Sequence, residues 1–200
     1  MRNLIWTMTI AALTFSSLIP RPVQAASAAE ILEAARAKSR DLEEVKQVLN
    51  GPEPNMRLAT FEAMVDSGDD TMRELALDAG LTSTDAVMQA LALKTVIMAQ
   101  KFMTLSLEID TSQAKEMQER SQAYLDKNGS IYTVKITATD PATGTFKMTQ
   151  YQGQVSGTTV TFEVSYDKGT LFLEDETTMK GPVTIYKSGY SGFIATWKIR

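Results

Sequence analysis

The chain has 200 residues, a hydrophobic content of 44% and a formal net charge of −4. It contains no cysteine and no histidine, which excludes disulfide bonds and the Ser-His-Asp and Cys-His catalytic arrangements. The same absence argues against zinc and most transition metals, whose usual nitrogen and sulfur ligands are missing. Lysine and arginine do not cluster along the sequence and no glycine-rich nucleotide loop is present, so we expect no cofactor, no metal and no nucleic-acid partner.

The first 25 residues have the pattern of a secretory signal peptide. Arg2 supplies a positive start, residues 4–20 are mostly apolar and uncharged, and a small residue, Ala25, ends the segment. We predict cleavage after Ala25, and the lack of cysteine favours a bacterial periplasm over a eukaryotic extracellular space. A retained membrane anchor is the alternative, because about 17 apolar residues is the lower limit for a membrane span. After cleavage we expect no stable membrane insertion.

Residues 26–129 are predicted to form a helical domain. The first helix covers residues 27–48, where apolar residues recur every three to four positions. Ser27 and Glu30 match a capping box at its start. Four further helices are predicted over residues 55–66, 71–79, 83–102 and 112–127. The helix over 83–102 is apolar almost all round, so we expect it at the centre of the helical half.

At Ser130 the apolar period changes from about 3.6 residues to 2. About six short strands separated by turns predict an antiparallel meander, either a small sandwich or a barrel. One strand is expected to carry four apolar side chains on a single face, at Val160, Phe162, Val164 and Tyr166. The predicted fold class is α+β, with the helices of residues 26–129 followed by a small β domain in residues 130–200.

The helical half contains self-similarity with a period of about 15 residues. Each copy has an apolar residue followed three or four positions later by alanine, in residues 56–59, 72–76 and 87–90. Small residues at such positions let neighbouring helices approach closely. The helical half resembles the HEAT family of helical repeats, and within it residues 54–79 have the closest match. An ordinary small helical bundle, with alanine and methionine in its core, is the alternative.

The HEAT-like resemblance implies a surface that binds another protein and carries no catalytic residue. Arg57 and Arg73 lie in the matching segment, and we expect them to be exposed candidates for such a contact. Their structural alternative is ion pairing with nearby carboxylates.

The β half offers a second kind of binding site. The loop over residues 187–192 combines Lys187 with Tyr190, serine and glycine, a composition typical of recognition loops and also of ordinary hairpin turns. Tyr151 lies among three glutamines and forms a polar, aromatic sequence of the kind that binds sugars. The sequence leaves open whether Tyr151 and Tyr190 lie together.

Glu174, Asp175 and Glu176 form the dense acidic cluster of the β half. On a strand, Glu174 and Glu176 would point to the same side, where they could serve as a hydrolytic pair or hold calcium. A charged hairpin end at the surface is the alternative.

These patterns predict an exported, periplasmic or secreted bacterial protein with a non-enzymatic protein-binding or scaffold role. Its partner is expected to be another envelope or secreted protein. A glycan- or small-ligand-binding β module is the first alternative function, and a carboxylate-dependent hydrolase is the second.

Overall fold

The computed structural model describes residues 27–187 and 189–200. The predicted signal peptide, residues 1–25, lies outside the described residues. Five predicted helices are confirmed as α1 to α5, with the bounds Ala28–Leu49, Pro54–Asp66, Asp70–Leu81, Ala86–Met98 and Lys115–Asn128. No described helix is long and apolar enough to cross a membrane.

The chain divides into two units, Met1–Lys38 and Ser39–Arg200, and the division falls within α1. In the first unit the predicted capping box is confirmed. The backbone N–H of Ser27 donates to Glu30 Oε2 at 2.7 Å, and that of Glu30 donates to Ser27 Oγ at 3.3 Å. The bond from the Ser27 backbone is the main cause that holds the pKa of Glu30 below its ordinary value.

The second unit contains α2, α3, α4, α5 and all the strands described below. α3 packs against both α2 and α4, and α4 also contacts the sheet. The packed faces bury large side chains completely, among them Phe61, Leu81, Leu93 and Ile97. These residues belong to one hydrophobic core together with residues of the sheet.

The first strand, β1, covers Phe102–Ile109. It lies within residues 26–129, which were predicted to form a helical domain without strands. Its side chains alternate, with Met103, Leu105 and Leu107 buried between exposed neighbours. This strand follows α4 directly, which is why α4 ends at Met98 and not at residue 102. The prediction of a helix through residue 102 was therefore too long, and β1 was missed.

Nine described strands form one antiparallel sheet. After β1 come β2 to β9, with the bounds Ile131–Lys135, Ala138–Asp140, Thr145–Met148, Tyr151–Ser156, Thr159–Val164, Asp167–Asp175, Thr178–Tyr186 and Tyr190–Lys198. The order across the sheet is β2-β1-β9-β8-β7-β6-β5-β4-β3. The predicted α+β class, with helices followed by an antiparallel meander, is confirmed.

The two edges of this sheet are joined by consecutive residues. Only Ile136 and Thr137 separate β2, at one edge, from β3, at the other. The N–H of Ile136 donates to the carbonyl oxygen of Lys101 at 2.9 Å, while that of Thr137 donates to Lys147 O at 2.8 Å. The sheet is therefore curled, because its two outer strands are joined by a two-residue connection, and it resembles the barrel alternative more than the sandwich.

One predicted face was wrong at its end. Val160 and Phe162 are buried as expected, but β6 stops at Val164 and Tyr166 is 66% exposed. Ser165 has a φ of 60°, in the left-handed region that non-glycine residues rarely adopt. This residue turns the chain, so Tyr166 leaves the apolar face of the strand.

We predict that the residue joining the sheet edges is a main determinant of stability. Ile136 is 7% exposed, whereas Ile131 on the same segment is 57% exposed. Ile136→Ala should lower the free energy of unfolding by about 2–5 kcal/mol, because it leaves a cavity in the core. Ile131→Ala should change it by less than about 0.5 kcal/mol. Urea denaturation of both variants measures the difference, and equal losses would contradict the burial of this joint.

Candidate functional site

Arg57 is a structural residue in the first turn of α2. Its side chain is 15% exposed and pairs with Asp85, the N-cap of α4. The guanidinium also donates to Gly51 O at 2.8 Å. The hydrogen bond from Arg57 is the main cause that lowers the pKa of Asp85. The expectation that Arg57 is exposed was wrong, and its ion-pair alternative describes what it does.

Arg73 lies on α3 and is half-buried. Arg57 and Asp85 line a small cavity of about 270 Å³, and Arg73 does not line it. Arg73 is also absent from the lining of the three grooves described below. The structure therefore does not bring the two predicted arginines together in one site.

Tyr151 lies at the start of β5 and lines an open groove of about 480 Å³. Its hydroxyl accepts a hydrogen bond from Gln150 Nε2 at 2.9 Å. Glutamine side chains on β5 and polar residues on β6, Thr161 and Glu163, complete the lining. Tyr190, in contrast, begins β9, and three strands separate β9 from β5. The sequence-predicted pair Tyr151 and Tyr190 therefore belongs to two separate surfaces.

Tyr190 belongs to a tyrosine ladder formed by Tyr166, Tyr186 and Tyr190. Tyr186 and Tyr190 are directly paired across β8 and β9, with ring centroids 5.0 Å apart. The rings of Tyr166 and Tyr186 meet edge to face at 5.3 Å. The exposed fractions are 66%, 45% and 44% in chain order. The ring of Tyr186 therefore contacts the other two rings, and all three remain open to solvent.

The loop between β8 and β9 holds two members of this ladder in place. The N–H of Lys187 donates to Gly189 O at 3.1 Å, and Gly189 has a φ of 131°, which favours glycine. Ser188 lies outside the described residues. The bond between Lys187 and Gly189 therefore links the residues that follow Tyr186 and precede Tyr190.

Asp167 stabilises the end of the sheet that carries the tyrosine ladder. Its Oδ1 accepts the backbone N–H of Tyr186 at 2.8 Å, and its Oδ2 accepts the hydroxyl of Tyr132 at 2.9 Å. Burial, and then this hydrogen bond, raise the pKa of Tyr132 far above its ordinary value. Tyr132 therefore remains a neutral hydrogen-bond donor that ties β2 to β7 and β8.

Helix α5 docks on β9 through one buried hydroxyl. Ser121 is completely buried, and its Oγ accepts the N–H of Gly192 at 3.1 Å. Its single hydroxyl proton has two acceptors within reach, Met117 O at 2.9 Å and Gly192 O at 3.0 Å. One turn further along α5, the ring of Tyr124 packs on Phe193 with centroids 5.3 Å apart. These contacts set the gap between α5 and the β8–β9 loop.

That gap is a small cavity of about 240 Å³, which we call the basic cavity. Its lining combines three cationic side chains with small and polar residues: Arg120, Ala123, Tyr124, Lys127, Asn128, Lys187, Gly189 and Ser191. Sequence reasoning identified Lys187 but missed Arg120 and Lys127, because these cations lie far from Lys187 in the chain and meet only in the fold.

The acidic cluster forms a hairpin end. Glu174 lies 3.8 Å from Lys180 in an exposed ion pair, and Asp175 accepts the N–H and the hydroxyl of Thr177 at 2.8 Å each. β7 ends at Asp175, so Glu176 does not share a strand face with Glu174. Within residues 27–187 and 189–200, no group of three or more acidic side chains converges as a metal site requires.

No protein-family model, no curated protein and no solved structure matches this chain.

We predict that Ser121 determines how firmly α5 is attached. Ser121→Ala removes the only side-chain partner of the Gly192 N–H among the described residues, and an unsatisfied buried donor costs about 1–3 kcal/mol. Ser106, which is exposed on β1, provides the matched control, and Ser106→Ala should change stability by less than about 0.5 kcal/mol. Thermal unfolding measures both variants. The docking account fails if the two substitutions have the same effect.

Proposed function

We propose that this chain is a non-enzymatic binding protein, exported by its leader, that takes a saccharide on the tyrosine ladder. The observation that carries the proposal is the exposure of three aromatic rings, of which the middle one, Tyr186, packs on both others. Folding normally buries such side chains, and contiguous exposed apolar surface marks binding sites. The proposed site includes Tyr190 from the recognition loop predicted at residues 187–192, and it does not include Tyr151.

The chemistry of a sugar fits this surface. One face of a pyranose ring presents C–H groups, which pack against aromatic faces, while its hydroxyls seek donors and acceptors at the edge. Tyrosine provides both an apolar ring and a polar tip, and its two side-chain torsions lose little freedom on binding. Two centroid steps of 5.3 and 5.0 Å give a surface suited to a short oligosaccharide.

The anchoring of Tyr186 also favours binding over a merely structural ladder. A cross-strand aromatic pair by itself stabilises a sheet by about 0.2–1 kcal/mol. Here the backbone N–H of Tyr186 is additionally held by Asp167. Preorganised side chains lower the entropic cost of taking a ligand.

We predict that saccharide binding depends on Tyr190. A microarray of short neutral and acidic oligosaccharides, probed with the purified chain, should give positive signals, and Tyr190→Ala should weaken them at least tenfold. Phe172 is 51% exposed on β7 and does not belong to the ladder, so Phe172→Ala should leave binding unchanged. The proposal is wrong if no oligosaccharide binds, or if both substitutions have the same effect.

A protein-binding role on the helices is the second candidate, and it is the one that the HEAT-like resemblance implies. An open groove of about 530 Å³ runs between α2, α4 and turns of the sheet, with Leu58, Leu91 and Val155 among its lining residues. Met56 and Val87 are 59% and 61% exposed on these two helices. Exposed apolar surface of this kind fits another envelope protein as partner.

For this second candidate, we predict site-specific crosslinking in cells. A photo-crosslinking residue at position 87 should give one discrete adduct, and Ala90→Asp should abolish it, because a new charge on this lining residue opposes apolar docking. The same crosslinker at Ile131, an exposed residue on β2 that does not line this groove, is the control. Adducts of equal yield at both positions would contradict a specific docking surface.

A further inference from the structure

The basic cavity is the second feature at the end of the sheet that carries the tyrosine ladder. Lys187 follows Tyr186 in the chain and Gly189 precedes Tyr190, so their Cα atoms lie about 3.8 Å from those of the ladder residues. The ladder and the basic cavity therefore draw residues from the same pair of strands and their connection.

Three cations face the basic cavity without a carboxylate in its lining. Arg120 and Lys127 come from α5, and Lys187 comes from the β8–β9 loop. None of the described residues that line the cavity is acidic. Bringing like charges together is unfavourable, so an arrangement of this kind is most stable with an anion between the charges.

Lys187 is held in position by two consecutive hydrogen bonds. Its Nζ donates to Asn128 Oδ1 at 2.6 Å, and Asn128 Nδ2 donates to Tyr124 O at 2.8 Å. The second bond fixes which end of the amide faces the lysine, because only the oxygen can accept from an ammonium group. Two further donors of the ammonium group remain for a ligand.

The carboxylates around the basic cavity have other partners. Glu116 lies 3.6 Å from Arg120 in a pair whose side chains are 83% and 53% exposed, and pairs of this kind contribute little. Asp167, whose charge adds to burial in raising the pKa of Tyr124, already accepts hydrogen bonds from Tyr132 and Tyr186. Asp126 on α5 accepts from Gln122 Nε2 at 2.7 Å. None of these carboxylates fills the cavity.

We infer that the basic cavity is an anion subsite and that the saccharide taken by the tyrosine ladder is acidic, with its carboxylate or phosphate group bound between Arg120, Lys127 and Lys187. This inference rests on the proposed function and names the ligand class. Arginine binds planar or tetrahedral oxyanions through two parallel N–H bonds, and lysine adds a point charge. At about 240 Å³, the cavity is smaller than a usual ligand pocket and suits a charged substituent.

The test compares one oligosaccharide with and without its charge. Calorimetric titration at low salt uses trigalacturonate and its fully methyl-esterified form, which share a backbone and differ in carboxylate charge. The acid should bind at least tenfold more tightly than the ester, and added salt should reduce the difference. Lys187→Gln and Arg120→Gln should each remove most of that gain and leave the affinity for the ester unchanged.

Two control variants distinguish the anion subsite from saccharide binding on the tyrosine ladder. Lys147 is exposed on β4, so Lys147→Gln should leave both affinities unchanged, whereas Tyr190→Ala should weaken both. Equal affinity for acid and ester, or an acid preference that survives Lys187→Gln and Arg120→Gln, overturns the anion subsite while the proposed function stands. Binding of neither oligosaccharide overturns both.

Discussion

The hydrogen-bonded contact between Ser121 and Gly192 is the constraint on which the candidate site depends. One buried hydroxyl accepts the N–H of Gly192 and lies 3.0 Å from the carbonyl oxygen of the same β9 residue. Tyr124, one turn later, packs on Phe193, and Arg120 and Lys127 on the same helix line the basic cavity. These two contacts hold together the elements from which the basic cavity is formed.

The curled sheet provides the second half of the arrangement. Ile136 and Thr137 connect the two outer strands, β2 and β3, and their N–H groups donate to Lys101 O and Lys147 O on either side of the connection. β8 and β9 lie inside the strand order, and β7 pairs with β8 up to Thr184 while β1 pairs with β9 from Phe193. The two strands that carry Tyr186 and Tyr190 are therefore fixed within the sheet, and a recognition surface of a few side chains needs such a support.

Local sequence patterns were sufficient to predict most helices and strands, whereas the candidate site depends on contacts between residues far apart in the chain. The capping box at Ser27 and the helical stripes are local features, so the sequence was sufficient to predict them. β1 was missed because a period-2 pattern between two helices has no sequence-adjacent strand to support it, and Tyr166 was misplaced by the backbone turn at Ser165. The tyrosine ladder and the basic cavity depend on cross-strand register and helix docking, which join residues far apart in the chain.

The central claim is that ligand recognition lies at the β8–β9 end of the sheet and not on the helices. Backbone amide NMR spectra of the protein, recorded during titration with trigalacturonate, test it most directly. The account predicts that the largest shift changes fall on residues 186–191 and on the C-terminal half of α5, around Arg120 and Lys127. Shift changes concentrated instead at Leu58 and Val87, in the groove between α2 and α4, would contradict it.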